Sequence, residues 1–228
     1  MQRTLDLFLS CIALVLLLPL LLPIALILRF SGEGEVFFRQ ERIGKQGKPF
    51  RLLKFATMLK DSPIIGTGTV TTRNDPRVLP VGRILRKTKI NELPQLVNIL
   101  LGDMSVVGPR PQAGRCFLAF PVELREKIVA VKPGLSGVGS IVFRGEEDLL
   151  ADAEDPLYFY DSVIAPYKAQ LETWYVDHSS IITYCLVIVT TAWVVVLPGS
   201  GAVWRVFPGA PVPPDELKRA LNYPTTSA

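Results

Sequence analysis

The chain has 228 residues, 49% of them hydrophobic, and a formal charge of +4, enough for one sizeable domain plus membrane-embedded segments but too little for two large domains. Its three cysteines, Cys11, Cys116 and Cys185, are far apart and make no CxxC pair, which argues against a disulfide or zinc framework; the one histidine, His178, is expected to be structural and leaves no histidine-based triad. A pI near 9.0 admits anionic partners, but with no interleaved aromatics or recognisable module it does not point to nucleic acid.

Residues 7–28 form an uncharged apolar run of about 22 residues, just long enough to span a hydrocarbon core as a straight helix. Pro19 and Pro23 lie at i and i+4 inside it, each removing a backbone donor and freeing a carbonyl one turn earlier. Freed carbonyls are costly in lipid. The pair therefore predicts a helix break, as either a kinked span or a re-entrant helix that returns to the side it entered. Arg29 follows directly and no small-x-small pattern appears, so a cleaved signal peptide is not expected.

Basic residues then recur at Arg39, Arg42, Lys45, Lys48, Arg51 and Lys54, while Gly44, Gly47 and Pro49 forbid one continuous helix. Alternating apolar and polar residues predict a hairpin of residues 35–43 and 50–58. Its charges suit either solvent or anionic headgroups, and the positive-inside tendency places them in the cytosol. A Thr/Gly-rich loop over 65–72 leads to a turn or helix start at Asn74-Asp75-Pro76. Helices are predicted over 78–86, 93–101 and 122–131, a turn over 133–137, a short strand over 139–143 and a helix over 155–176, bent at Pro166. A second uncharged apolar segment, 181–197, sits at the lower limit for a span, and both a short transmembrane helix and an interface-lying helix fit it. The proline-rich tail from 199 onwards has one helical candidate, 215–221.

The densest chemistry lies in the middle. Arg83 shares a helical face with Arg86 or Lys87, which with Lys89 suits phosphate oxygens. Arg110 stands between Pro109 and Pro111, so its backbone is restrained on both sides and its guanidinium is presented at low entropic cost. Glu92, before Leu93-Pro94, reads either as a helix-start residue or as a Mg²⁺ ligand or half of an acidic pair. Asp103 is expected to anchor a turn, and the acidic stretch from Glu146 to Asp155 to be a solvated loop. No phosphate-binding GxxxxGK[ST], GxGxxG after a strand, HExxH or GxSxG is present.

At these residues the chain resembles the bacterial sugar transferase family, the monotopic polyprenyl-phosphate phosphoglycosyl transferases. The resemblance runs from Arg3 to about Leu197. It is carried by Arg3 and Asp6 before the proline-bearing segment, Val36-Phe37-Phe38-Arg39-Gln40-Glu41-Arg42-Ile43-Gly44, Lys54-Phe55-Ala56-Thr57-Met58, Asn74-Asp75-Pro76-Arg77-Val78, Leu85-Arg86-Lys87-Thr88-Lys89-Ile90-Asn91-Glu92-Leu93-Pro94-Gln95-Leu96, Gly102-Asp103-Met104-Ser105 and Gly108-Pro109-Arg110-Pro111.

The resemblance implies an α/β chain in the broad sense, α+β and mostly helical. Residues 1–30 would be a membrane-embedded, re-entrant helix, 31–178 a small cytosolic catalytic domain, 179–198 a second hydrophobic membrane-associated helix and 199–228 a tail. It further implies transfer of a sugar 1-phosphate from a UDP-sugar to undecaprenyl phosphate, at the cytosolic face of the bacterial inner membrane among its lipids, with Mg²⁺ and with UMP released. This is the initiating step of surface glycan synthesis. In the family an Asp-Glu pair works with Mg²⁺: the aspartate attacks the β-phosphate and the glutamate binds the metal.

Glu92 matches that glutamate, Arg86 matches a phosphate-binding arginine, Arg110 matches the arginine of the family's Pro-Arg-Pro motif, and Arg144 matches the arginine closing a downstream motif, with Lys89 beside them. Three departures stand out. Asn91 occupies the aspartate's place, and an amide oxygen is a poor phosphoryl nucleophile. Leu18 replaces a serine before Pro19, and residues 137–144 read Gly-Val-Gly-Ser-Ile-Val-Phe-Arg instead of the usual Gly-Trp-Ala-Gln-Val-Asn-Gly-Arg. With Asn91 in place, either Glu92 or another carboxylate takes the nucleophilic role or the polyprenyl phosphate attacks directly in a ternary complex, and the alternative to an enzyme is a degenerate member that binds lipid phosphate or assembles partners.

Overall fold

A computed structural model describes residues 1–62, 64, 65, 71 and 75–224; most of the expected Thr/Gly loop and Asn74 lie outside them. The apolar N-terminal run forms one helix, α1 (Gln2–Arg29), which continues through Pro19 and Pro23. The expected break is therefore not an interruption of the helix. Proline removes a donor but its fixed φ is helical, and packing holds α1 along its length. Leu5 and Leu9 join the main core, Ala13, Leu14 and Leu17 a second cluster with Leu52, Leu96 and Ile99, and Ile24 and Leu28 a third with Phe55 and Leu85. The helix is long and apolar enough to cross a membrane, and its outward face, with Phe8, Val15, Leu16 and Leu26, is exposed.

Both of its ends are pinned to the same body. Arg3 donates to the carbonyls of Ile99 and Leu100 at 2.5 and 3.0 Å, and buried Asp6 accepts at one oxygen from Ser105 Oγ, Val106 N and Tyr184 Oη. At the far end Leu28 is buried and the Arg29 guanidinium donates to the Gly34 carbonyl.

The predicted hairpin is present as β1 (Phe37–Ile43) and β2 (Pro49–Phe55), antiparallel with Phe37 opposite Phe55 and Ile43 opposite Pro49. Its turn needs Gln46 and Gly47 at positive φ. After Val78 come α2 (Pro80–Lys87) and α3 (Gln95–Leu101), shorter at their starts than predicted because Pro80 opens one and a separate 3₁₀ turn, Ile90–Glu92, precedes the other. A second small sheet pairs β3 (Ser105–Val107) in parallel with β4 (Gly134–Ser136), α4 (Gly114–Leu118) and α5 (Val122–Val129) lying between them in the chain.

Here two expectations are corrected. The turn over 133–137 contains β4, and the strand over 139–143 is a helix, α6 (Val138–Val142). Gly134 pairs because it is a glycine: a Cβ there would lie 2.0 Å from Gly108 N. Val138, Ile141 and Val142 are all buried, an i, i+3, i+4 face that a short apolar run cannot distinguish from a strand.

The first part of the acidic stretch is α7 (Glu146–Ala151) and not a loop, while residues 152–155 form the expected connection to the next helix. The expected helix over 155–176 is continuous but changes its winding, from α8 (Pro156–Phe159) through a π-type turn (Tyr160–Ile164) to α9 (Ala165–Asp177), with Pro166 just past the π-type turn. The apolar segment 181–197 becomes α10 (Ile181–Val196). The tail folds back as α11 (Ala202–Val206) and α12 (Asp215–Lys218), shorter than the candidate at 215–221, with Trp204, Leu217 and Leu221 sharing the main core with Tyr175 and Val187.

Candidate active site

A cleft of about 820 Å³ opens where the hairpin, the 3₁₀ turn, α6, α7 and α9 meet α1 and α10. One wall is apolar, with Ala13 and Leu17 from α1 and Ile188, Val194 and Val195 from α10; the other carries most of the charge. On the hairpin, Phe38, Gln40 and Arg42 alternate onto one face and Lys54 stands opposite Phe38, so strand pairing brings two cations to the cleft.

Between α2 and the 3₁₀ turn the chain reverses at Lys89, which takes a left-handed φ of 60°. That conformation is uncommon for a side chain larger than glycine, and it turns Asn91 and Glu92 inward. Arg110 arrives from the opposite side. Its backbone N–H donates to Glu172 Oε1 at 3.1 Å and its carbonyl accepts from Gln112 Nε2, while Arg42 donates to the Pro111 carbonyl. The Pro-Arg-Pro restraint is thus reinforced by hydrogen bonds on both sides of Arg110.

The charges close into three groups. Arg110 Nη2 donates to Glu92 Oε1 at 2.5 Å, and Lys54 Nζ stands 3.7 Å from the same oxygen. Arg86 Nη2 donates to Glu147 Oε1, also at 2.5 Å, and Lys168 pairs with Glu146. Lys89 and Arg144 line the cleft with no ion pair among the described residues. Positive charge is therefore in surplus, the arrangement a diphosphate requires.

The electrostatics follow from crowding. Burial pushes the Glu92 carboxyl up, but Arg110, Lys54 and Lys89 together outweigh it and hold it well below the ordinary carboxylate range. Burial pushes the Lys54 ammonium down to about 7 against the pull of Glu92, with Arg42 and Arg110 adding to the depression. Lys89 and Arg42 are likewise lowered by burial. Behind Arg110, Glu172 is fully buried and pushed up to about 7 by that burial.

Asn91 is 4% exposed, lines the cleft, and its Oδ1 is buried without a hydrogen-bond partner. An unsatisfied buried acceptor is costly in a folded protein unless something else occupies it. The carboxylate of Glu92 and this neighbouring amide oxygen make a hard-oxygen donor pair that fits a Mg²⁺ ion whose remaining ligands are water and phosphate oxygens. No cluster of three or more His, Cys, Asp or Glu side chains suited to a metal occurs among the described residues.

The structure brings Arg86, Lys89, Asn91, Glu92, Arg110 and Arg144 to one cleft, while Arg83 lies outside it. Asp103 is structural, but its partner is Asn98 on α3 and not its own turn. His178 stacks on Trp174 and its Nδ1 contacts the Trp174 carbonyl. Lys168 and Glu172 escaped the sequence reading, as did the inward aim of Arg42 and Lys54. For Arg42 the signal was the alternation Phe38, Gln40, Arg42; a lysine and a glutamate four residues apart inside α9 gave no such cue.

The family model of the bacterial sugar transferases matches residues 1–198. Over 168 residues the chain is 40% identical to UDP-glucose:undecaprenyl-phosphate glucose-1-phosphate transferase of Escherichia coli K12, covering 70% of this chain and 35% of that protein. It is 39% identical over 160 residues to the exopolysaccharide production protein PSS of Rhizobium leguminosarum bv. phaseoli, covering 67% and 80%. With the UDP-N-acetylgalactosamine-undecaprenyl-phosphate N-acetylgalactosaminephosphotransferase of Aeromonas hydrophila it shares 36% over 156 residues, covering 68% and 36%. The chain thus spans about a third of the Escherichia and Aeromonas relatives and four-fifths of the Rhizobium one.

Proposed function

The chain belongs to the bacterial sugar transferase family, and from that premise we propose that it moves a sugar 1-phosphate from a UDP-sugar to undecaprenyl phosphate, releasing UMP. The observation that carries this reading is the cleft's division into a cationic side and an apolar wall of α1 and α10. A polyprenyl phosphate is divided in the same way. Arg86, Lys89, Arg110 and Arg144 hold the phosphates, and Glu92 with Asn91 offers oxygens to Mg²⁺. When bound, that ion neutralises diphosphate charge.

With an amide at 91, the acceptor does the attack itself. An oxygen of the polyprenyl phosphate forms a bond to the β-phosphorus of the UDP-sugar as the bond from that phosphorus to the bridging oxygen of UMP breaks. No proton needs to move, so the residues' task is to align two anions and screen their repulsion. Support comes from the cleft's carboxylates: Glu92, Glu146 and Glu147 are each committed to cations.

The setting is the cytosolic face of the bacterial inner membrane, with lipid against the exposed faces of α1 and α10. That both ends of α1 dock on one domain, and that the chain after α10 returns to the same core, supports helices that enter and leave on one side. Purified full-length protein in lipid nanodiscs, given a UDP-sugar panel, undecaprenyl phosphate and Mg²⁺, is expected to release UMP only with acceptor present. Absence of UMP across the panel, with ligands still bound, would sink the enzyme in favour of a binding scaffold.

A further inference from the structure

A second cleft of about 680 Å³ opens off the first and shares Arg86, Lys89 and Arg144 with it. Its far wall is the chain after α10: residues 198–202 on one side and Ala220, Leu221 and Asn222 on the other. All but the first of these lie past residue 198, where the family match ends.

This wall is firmly built. Trp204 Nε1 donates to the Leu221 carbonyl at 3.0 Å, the Trp204 ring meets Tyr223 edge-on at 5.1 Å, and Leu217 is fully buried. Gly201, at φ +60, approaches so closely that a Cβ would lie 2.9 Å from the Asn222 carbonyl oxygen. Asn222 itself sits at φ +51, a conformation asparagine tolerates better than most residues.

The lining is suited to one part of the donor. Among the described residues it includes no aromatic ring to stack on a base and no long apolar wall for an isoprenoid; the first cleft has both, in Phe38, Tyr160 and the faces of α1 and α10. Besides the cations Arg83 and Lys87, what it offers is hydroxyl and amide, Ser200 and Asn222, while Glu147 is held in its ion pair with Arg86. Ser200 Oγ is buried without a hydrogen-bond partner. Such groups match the dense hydroxyls of a hexose, and the shared cations place a diphosphate at the junction.

We propose that this second cleft receives the sugar of the nucleotide-sugar donor and that the C-terminal tail, through Ser200 and Asn222, sets which sugar is transferred. The inference rests on the phosphoglycosyl transfer reading above. A site that hydrogen-bonds sugar hydroxyls discriminates by leaving its own polar groups unpaired with the wrong epimer.

The test uses full-length Ser200→Ala and Asn222→Gly, the glycine keeping the left-handed backbone, with kcat/KM measured for UDP-glucose, UDP-galactose and their N-acetylamino counterparts and a Ki for UDP. At least one variant is expected to change the ratio between the preferred and next donor by about tenfold, with the Ki for UDP unchanged. Arg144→Gln should weaken all donors and UDP alike. Ratios that stay at wild-type values in both tail variants, or a parallel loss for every donor and for UDP, overturn the proposal. A wild type that releases no UMP from any donor overturns the parent reading instead, whereas turnover with unmoved ratios overturns this inference alone.

Discussion

Arg110 and Glu92, 18 residues apart in the chain, meet with Arg110 Nη2 donating to Glu92 Oε1 at 2.5 Å. The pair joins two elements that sequence places separately, the 3₁₀ turn before α3 and the proline-locked turn after β3. It also sets the carboxylate between Arg110 and Lys54, in a cleft whose cations outnumber its carboxylates and which a diphosphate must enter. Glu92→Gln keeps the shape and removes the charge. UMP release is expected to fall by about a hundredfold or more, a loss in the range of a missing electrostatic group. Activity within threefold of wild type at saturating Mg²⁺ would remove Glu92 from the chemistry.

On the proposed reading, Asn91 sets the order of bond making. Direct attack by the acceptor predicts that wild-type protein incubated with UDP-sugar alone keeps its intact mass and shows sequential kinetics in the two substrates. Asn91→Asp sets a carboxylate where the family's covalent route has one, and a mass increase of one sugar phosphate is expected in that variant without acceptor. An adduct on the wild-type chain would show that another carboxylate attacks and that direct transfer is wrong.

Legibility in the sequence followed the range of the interactions. Local devices were readable: the hairpin from alternation, the presence of α2 and α3 though not their starts, the presentation of Arg110 from Pro109 and Pro111. Arg86, Lys89, Asn91, Glu92, Arg110 and Arg144, named from the sequence, line one cleft. Non-local facts were not readable. That residues 138–142 are a helix depends on burial against α9, where Gly139 lies so close that a Cβ would meet Glu172 Oε1 at 2.4 Å. That Lys54 and Lys168 enter the cleft depends on a strand partner and on α7, neither of which leaves a mark on the lysines' own neighbourhoods.

Glu172 connects that packing to pH. It is fully buried, it accepts from the Arg110 backbone N–H, and burial raises its carboxyl from 4.5 to about 7. A raised value means that the folded state binds the proton more tightly, so this contribution to stability is complete below about 4.5 and is lost as pH rises through about 7. The shift corresponds to about 3 kcal/mol. Glu172→Gln, which retains an acceptor for Arg110, is expected to match wild type near pH 5 and to exceed it at pH 8. Denaturant melts across that window check it, and a variant whose stability tracks wild type at every pH would show that Glu172 is not the titrating group.

The docking of α1 predicts a topology as well as a fold. Asp6 at one end is buried against Ser105, Val106 and Tyr184, and Leu28 at the other is buried beside Phe55 and Leu85. A helix of 28 residues rises about 42 Å, more than a hydrocarbon core, yet one domain cannot lie on both sides of a bilayer. Thr4→Cys and Phe30→Cys, each in a background with Cys11, Cys116 and Cys185 replaced by serine, should therefore react with an impermeant maleimide from the cytosolic side only. Right-side-out and inverted vesicles give the two readings. Labelling of the two positions from opposite sides would mean that α1 spans the membrane and that one of its docked ends separates from the domain in lipid.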